Sequence, residues 1–451
     1  MPIYIEGKKP LLGTVTLSGA KNSAIKLIFA SMFSNEDVVL DNVPRVDALL
    51  ADLEIVRGLG GKAEWIGVNK LLLNGAGIST FEIPQDIGSR YRTSFLLTGP
   101  LLYRFGKARI PKSKPISFNP SPINRILETW RMLGFEVTDD VDWININITS
   151  STFKNSDISF KTSSHTGTEN AILSSIFIEN ETIINNASEE PEIDDLVDFC
   201  NLLGADVVRL EPRKIKVVGT HVFHGAAFEI QPDKFEAAAF ATGAIITKGN
   251  VVINGIKKRS LVPFVNFLSK INANFEIQEN ELRVWSGNTL LPTTVTVAPS
   301  PGFVPDWQSL AVLILTQASG QSFIHDTVYT DRFAYTKDLN RMGANIEVEK
   351  PSKEGIVPVI SDDSYDFDKK GEPEILAKVA GPSKLHAEKL HIIDPRYANI
   401  LVLAALAAEG RTELHDYKSM FEPTENFFDK LLSIGAKITR EESPSPWDKG
   451  N

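Results

Sequence analysis

The chain has 451 residues, of which 42% are hydrophobic and 23% charged, with a formal net charge of −10. That length exceeds one simple core and argues for two or three domains, and the acidic balance argues against nucleic acid as the main partner, because phosphate backbones select basic surfaces. Cys200 is the only cysteine, which excludes a disulfide framework and a thiolate metal cluster.

The opening residues, Met-Pro-Ile-Tyr-Ile-Glu-Gly-Lys-Lys, lack the apolar core of a signal peptide. The apolar run at 400–408 is too short to span a bilayer. A cytoplasmic protein without membrane attachment is therefore expected. Next comes Leu17-Ser18-Gly19-Ala20-Lys21-Asn22-Ser23, which follows a strand-like run at 13–17 and opens a helix-like run at 25–30. A strand, small residues and a helix start place free backbone N–H groups where an anion can approach. Lys21 adds a full charge and Asn22 an amide that both donates and accepts. The same pattern also fits an ordinary strand-to-helix turn carrying an exposed lysine.

One motif recurs through the chain: an amphipathic helix ending in Leu-Gly-small, or a close variant, followed at once by a short alternating strand. Its cap positions are Gly60, Gly134, Gly204, Asn272, Gly343 and Gly435, spaced by 74, 70, 68, 71 and 92 residues. Glycine at a helix C-terminus takes the left-handed conformation, and asparagine is its usual substitute, as at Asn272. The longer last spacing predicts an insertion in the polar stretch 350–374, read as loop and strand excursion. Units of about 70 residues exceed the usual 20–50 of solenoids, so six α/β modules grouped three and three as two globular domains are expected.

Charge gathers with Gly and Pro where the repeat is broken. Arg92 precedes a buried helix, and 112–122 reads as a surface loop able to act as a lid. Lys161, His165 and Gly167 lie in a small polar segment that opens a helix. Asp233 stands at a turn into a helix, and Asp306 leads into an apolar helix, where it also fits an N-cap. Asp331-Arg332 and Asp394-Pro-Arg396 each set an acid beside an arginine at a strand-to-helix junction, a pattern that is mostly surface pairing. Equivalent positions in different repeats suggest one cleft between two domains.

These residues resemble the enolpyruvyl transferase family, on the branch whose acceptor is UDP-N-acetylglucosamine. The resemblance rests on Leu17 to Ala24, Asp41-Asn-Val-Pro-Arg45, Arg92 with Gly99-Pro100-Leu101, Glu190-Pro-Glu-Ile193, Gln231-Pro-Asp233, Pro301-Gly-Phe with Asp306 and Gln308, Asp331-Arg332-Phe333, Asp394 with Arg396, and the six caps. It runs from residue 1 to about 440.

The resemblance implies a pair of inside-out α/β barrels, each of three βαβαββ-like repeats. Residues 21–230 would form one domain, residues 1–20 with 231–440 the other, and 441–451 a disordered tail. It implies transfer of the enolpyruvyl group of phosphoenolpyruvate to the 3-hydroxyl of UDP-N-acetylglucosamine, releasing phosphate, a step of peptidoglycan precursor synthesis.

By similarity Lys21, Arg332 and Arg396 would hold phosphoenolpyruvate, and Lys21, Asp306 and Asp394 would be catalytic, with Asp306 the base. Asn22, Arg92, Lys161, His165, Gly167, Asp233 and Asp306 would hold the nucleotide sugar. No cofactor and no metal are implied, and a monomer is expected. Departures stand out at four positions. The family's loop cysteine, its proton donor and the target of fosfomycin, falls near Ile116, so insensitivity to fosfomycin is expected. Family arginines align with Ser121 and Glu422, and a family histidine aligns with Ile126. Lys112, Lys114, Arg125 and Lys418 are the nearby cations. A transferase with another nucleotide or sugar acceptor, and a non-catalytic relative that binds nucleotide sugar, are the alternatives.

Overall fold

The computed structural model describes residues 2–112, 123–149, 153–361, 365–392, 394–416 and 424–440. Ile116, Ser121, Lys114, Lys418, Glu422 and the tail 441–451 lie outside them. By contact the chain divides into two units. The first comprises Met1–Leu17, Lys234–Ala298 and Gly302–Asn451, and the second Ser18–Asp233 and Pro299–Pro301.

The repeat is most easily followed in the stretch with strands Ser156–Ser164 and Glu181–Ala187, helices His165–Ser175 and Pro191–Leu202, and the closing hairpin Asp206–Glu211 and Lys214–Val218. Its first two strands pair in parallel, and the hairpin joins the second of them antiparallel. All six cap positions have positive φ, from 59° at Asn272 to 110° at Gly204. A left-handed residue reverses the backbone, so the next strand starts immediately.

The expected barrels are not formed. Among the described residues each unit carries three separate open sheets, five of them four-stranded and one three-stranded. A barrel needs an unbroken ring of inter-strand hydrogen bonds. Here every sheet ends on two edge strands, such as Lys62–Trp65 and Ala226–Glu229, and no sheet closes on itself. The insertion before Leu376–Gly381 contains the short helical turns Pro351–Glu354 and Phe367–Lys370, with no strand among its described residues.

In place of a barrel interior, each unit holds helices that are buried over most of their surface. In the first unit these are Lys234–Ile246, Gln308–Leu315 and Ala398–Ala407, which pack on one another. Their sequences are apolar all round, which fits a helix only when no face meets water. In the second unit Lys21–Ala30 and His165–Ser175 both pack on the segment formed by Arg92–Leu97 and Thr98–Phe105.

The chain enters the second unit at Ser18 and leaves it at Asp233, and the two passages run side by side. Gly19 bridges Pro232 antiparallel, Ala20 N–H donates to the Gln231 carbonyl at 2.7 Å, and Asp233 N–H donates to the Ser18 carbonyl at 2.9 Å. A Cβ on Gly19 would lie 1.8 Å from the Asn42 carbonyl oxygen. Its lack of a side chain is thus used by the neighbouring backbone. Gly19→Ala should cost about 1–3 kcal/mol of stability, the usual penalty for overpacking, read as a lower denaturation midpoint. A wild-type midpoint would show that the two passages are not so tightly apposed.

Candidate functional site

The candidate residues divide between the units. Lys21, Asn22, Arg92, Lys161, His165, Gly167 and Asp233 belong to the second, and Asp306, Arg332, Asp394 and Arg396 to the first. Most of them fall at or just before the N-terminal end of a buried helix. Lys21 is the first residue of its helix, Arg92 and Asp306 sit in the 3-10 turns that lead into theirs, and His165 opens another. Asp233 and Arg396 stand just ahead of two more. Exposed N–H groups and the positive end of the helix dipole concentrate there.

In the second unit, helix Lys21–Ala30 is the hub. Lys26, 2% exposed, donates to the Asn22 carbonyl at 2.5 Å and pairs with Glu169 at 2.9 Å. Glu169 also meets His165 Nε2 at 3.4 Å. Burial works to raise the Glu169 pKa, but Lys26 and His165 outweigh it and hold the carboxylate at about 2. Asn22 and His165 are thereby tied together through one buried ion pair. In the same first turn as Asn22, Ser23 Oγ donates to Asp195 Oδ2 at 2.7 Å, and Gln231 Nε2 donates to Ser23 Oγ at 3.3 Å.

Gly167 serves the fold: its N–H donates to the N-cap hydroxyl of Ser164 at 3.0 Å, and a Cβ there would strike the Phe160 ring at 2.8 Å. Lys161 and Arg92 are exposed. Of the nearby cations, Lys112 pairs with Asp139 at 2.6 Å, while Arg125 Nη2 donates to Thr162 Oγ1 at 2.6 Å. Ile126 is buried in the core.

Asp52 was not legible as part of this region. It is fully buried on helix Asp47–Gly58, accepts from Thr93 Oγ1 at 2.6 Å through Oδ1, and has no partner for Oδ2 among the described residues. Burial pushes its pKa from the ordinary 3.8 to about 8, against the opposing pull of Thr93 and Lys21.

The first unit gathers a tight charged cluster. Arg332 Nη1 donates to Asp306 Oδ1 at 3.1 Å, and the Arg332 guanidinium lies 4.1 Å from the centre of the Tyr329 ring. Burial opposes its charge, and the Asp306 carboxylate more than restores it. Arg396 grips Asp394 through Nε at 2.9 Å and Nη2 at 2.6 Å, and lies 3.9 Å from Asp331. Asp306 is half exposed, whereas the Asp394 side chain is only 6% exposed.

Behind this cluster runs a network of which the sequence singled out only Gln308. Asp326 accepts N–H groups of Val328 and Tyr329 at 2.8 and 2.9 Å, and Gln308 Nε2 at 2.9 Å. Burial raises its pKa to about 6 in spite of these donors. Gln308 Oε1 takes the Tyr335 hydroxyl at 2.9 Å, and Tyr335 stacks obliquely on Tyr397 at 4.9 Å. Tyr397 adjoins Arg396 in the chain, which is the one signal that could have flagged it. Among the described residues no cluster of His, Cys, Asp and Glu could hold a metal ion, and no helix is long and apolar enough to cross a membrane.

Comparison with known proteins decides the family. The pattern of the EPSP synthase (3-phosphoshikimate 1-carboxyvinyltransferase) family matches residues 5–431. The chain belongs to the enolpyruvyl transferase family. It is 30% identical over 437 residues to UDP-N-acetylglucosamine 1-carboxyvinyltransferase 1 of Caldanaerobacter subterraneus subsp. tengcongensis, covering 97% of this chain and 99% of that one. It is 32% identical over 438 residues to UDP-N-acetylglucosamine 1-carboxyvinyltransferase of Acidiphilium cryptum, with 97% and 99% covered. In fold it is similar to the enolpyruvyl transferase NikO from Streptomyces tendae, with a TM-score of 0.84 at 21% identity over 98% of this chain and 99% of that one.

Asp52 gives a test of the second unit in this family member. A carboxyl whose folded pKa lies above its unfolded value is protonated in the fold while it ionises in the unfolded chain. It therefore removes stability as pH rises from about 4 to about 8, by roughly 1.4 kcal/mol per unit within that window. Asp52→Asn mimics the protonated form and keeps an oxygen for Thr93. Its melting temperature should match the wild type near pH 4 and exceed it increasingly up to pH 8. Parallel curves across that range would contradict the buried, uncharged assignment.

Proposed function

We propose that the protein transfers the enolpyruvyl group of phosphoenolpyruvate to the 3-hydroxyl of UDP-N-acetylglucosamine, with release of phosphate. One observation carries the reading. Arg332 and Arg396 lie in one unit, set against aromatic rings and balanced by Asp306 and Asp394. Guanidinium groups bind phosphate and carboxylate through paired hydrogen bonds, and phosphoenolpyruvate carries both groups. Lys21 supplies a further cation. Asn22, Arg92, Lys161, His165, Gly167 and Asp233 are the residues proposed for the nucleotide sugar. The identity of the acceptor rests on the names of the relatives.

The chemistry assigns work to Asp306. As the acceptor oxygen bonds to C2 of phosphoenolpyruvate, its proton must leave and C3 must gain one, giving a tetrahedral adduct. Loss of phosphate, with a proton from C3, then regenerates the double bond as an enol ether. Asp306 takes the hydroxyl proton; its side chain is 51% exposed, so substrate can reach it, and the Arg332 hydrogen bond fixes it in place. Asp394 holds Arg396 in the orientation that meets the anion. Cys200 is buried and its thiol pKa is raised by that burial, so fosfomycin finds no reactive thiolate.

Incubating the protein with phosphoenolpyruvate and UDP-N-acetylglucosamine should release one phosphate per enolpyruvyl sugar formed. No phosphate with this acceptor, but release with another nucleotide or sugar, would redirect the proposal to that acceptor. Asp306→Asn should lower kcat by about 10²–10⁴-fold, the usual contribution of a general base, while leaving the melting temperature within a few degrees. Near-wild-type turnover would remove Asp306 from the proton transfer.

A further inference from the structure

Two hydrogen-bond donors in the Arg332–Arg396 cluster have no acceptor among the described residues. Tyr397 is 5% exposed, and its hydroxyl has no partner among the described residues. The buried Nε–H of Arg332 is the second. The two groups are close enough to feel one another electrostatically. The acceptors one would look for are engaged: Asp306 by Arg332, Asp394 by Arg396, and Gln308 Oε1 by Tyr335.

Tyr397 is also held in place. Its ring lies 4.9 Å from that of Tyr335 and 5.3 Å from the Arg396 guanidinium, and its backbone N–H donates to the Asp394 carbonyl at 3.1 Å. A buried donor without an acceptor destabilises the fold. Here two such donors point to a missing oxygen-rich acceptor beside two guanidinium groups, and an anion is the chemical class that fits.

We propose that Tyr397 is a further contact for phosphoenolpyruvate, its phenolic O–H donating to an oxygen of the anionic group that Arg332 and Arg396 carry. The proposal rests on the reading of the cluster as the phosphoenolpyruvate site. An arriving anion competes with Asp394 for the nitrogens of Arg396, and the shift of that guanidinium uncovers the hydroxyl. A neutral donor adds direction without adding a further positive charge to the cluster.

Tyr397→Phe keeps the ring against Tyr335 and removes only the oxygen. Titration calorimetry with phosphoenolpyruvate alone should show a Kd raised about tenfold or more, as for loss of a hydrogen bond to a charged group. The melting temperature of the ligand-free variant should be unchanged or higher, because an unsatisfied buried group is gone. An unchanged Kd, or a variant that is less stable or does not fold, would make the hydroxyl structural and overturn the inference alone. A wild-type protein that takes up no phosphoenolpyruvate would overturn both this inference and the reading on which it rests.

Discussion

A helix buried on every side has no polar face to offer, so whatever chemistry it contributes must come from its ends. That constraint governs this protein. The central helices Gln308–Leu315 and Ala398–Ala407 of the first unit are apolar almost throughout. Their packing consumes their sides, and the turns that lead into them, Pro305–Trp307 and Pro395–Tyr397, carry Asp306 and Arg396. The core and the candidate site are consequently two ends of one design: the apolar body fixes the position, and the N-terminal turn displays the charge.

Charge balance is the second layer. A guanidinium in a half-closed setting needs a counter-charge, and Asp306 and Asp394 supply it. Those contacts keep the arginines extended over Tyr329 and Tyr397, at the expense of competing with any incoming anion. The second unit solves the same problem differently. Lys26 is sealed in with Glu169 and spends its charge on orienting Asn22 and His165. Breaking a buried pair of that kind by removing one partner leaves an uncompensated charge, which is typically strongly destabilising.

The sequence disclosed what local physics controls. Six recurring caps with Gly or Asn required a left-handed residue at each, and each has one, down to Asn272. The runs around Lys21, Asp306 and Arg396 were recognisable as strand-to-helix junctions because small residues, Pro and charge interrupt an apolar pattern there. What stayed hidden depends on neighbours distant in the chain. Whether sheets close is decided at their edges, and no pattern within a strand announces an unpaired edge. Gly19 looked like part of an anion loop, but its backbone is pressed by the Asn42 carbonyl. The Lys26–Glu169 pair joins residues 143 positions apart, and the Tyr397 hydroxyl gains meaning only from having no acceptor among the described residues.

The central claim is that the Arg332–Arg396 cluster of the first unit is an anion site. A crystal structure with phosphoenolpyruvate bound tests it most directly. The account predicts the phosphate or carboxylate oxygens within hydrogen-bond distance of both guanidinium groups, with the Arg396–Asp394 contact loosened. Phosphoenolpyruvate bound elsewhere, with both arginines still locked on their carboxylates, would contradict it.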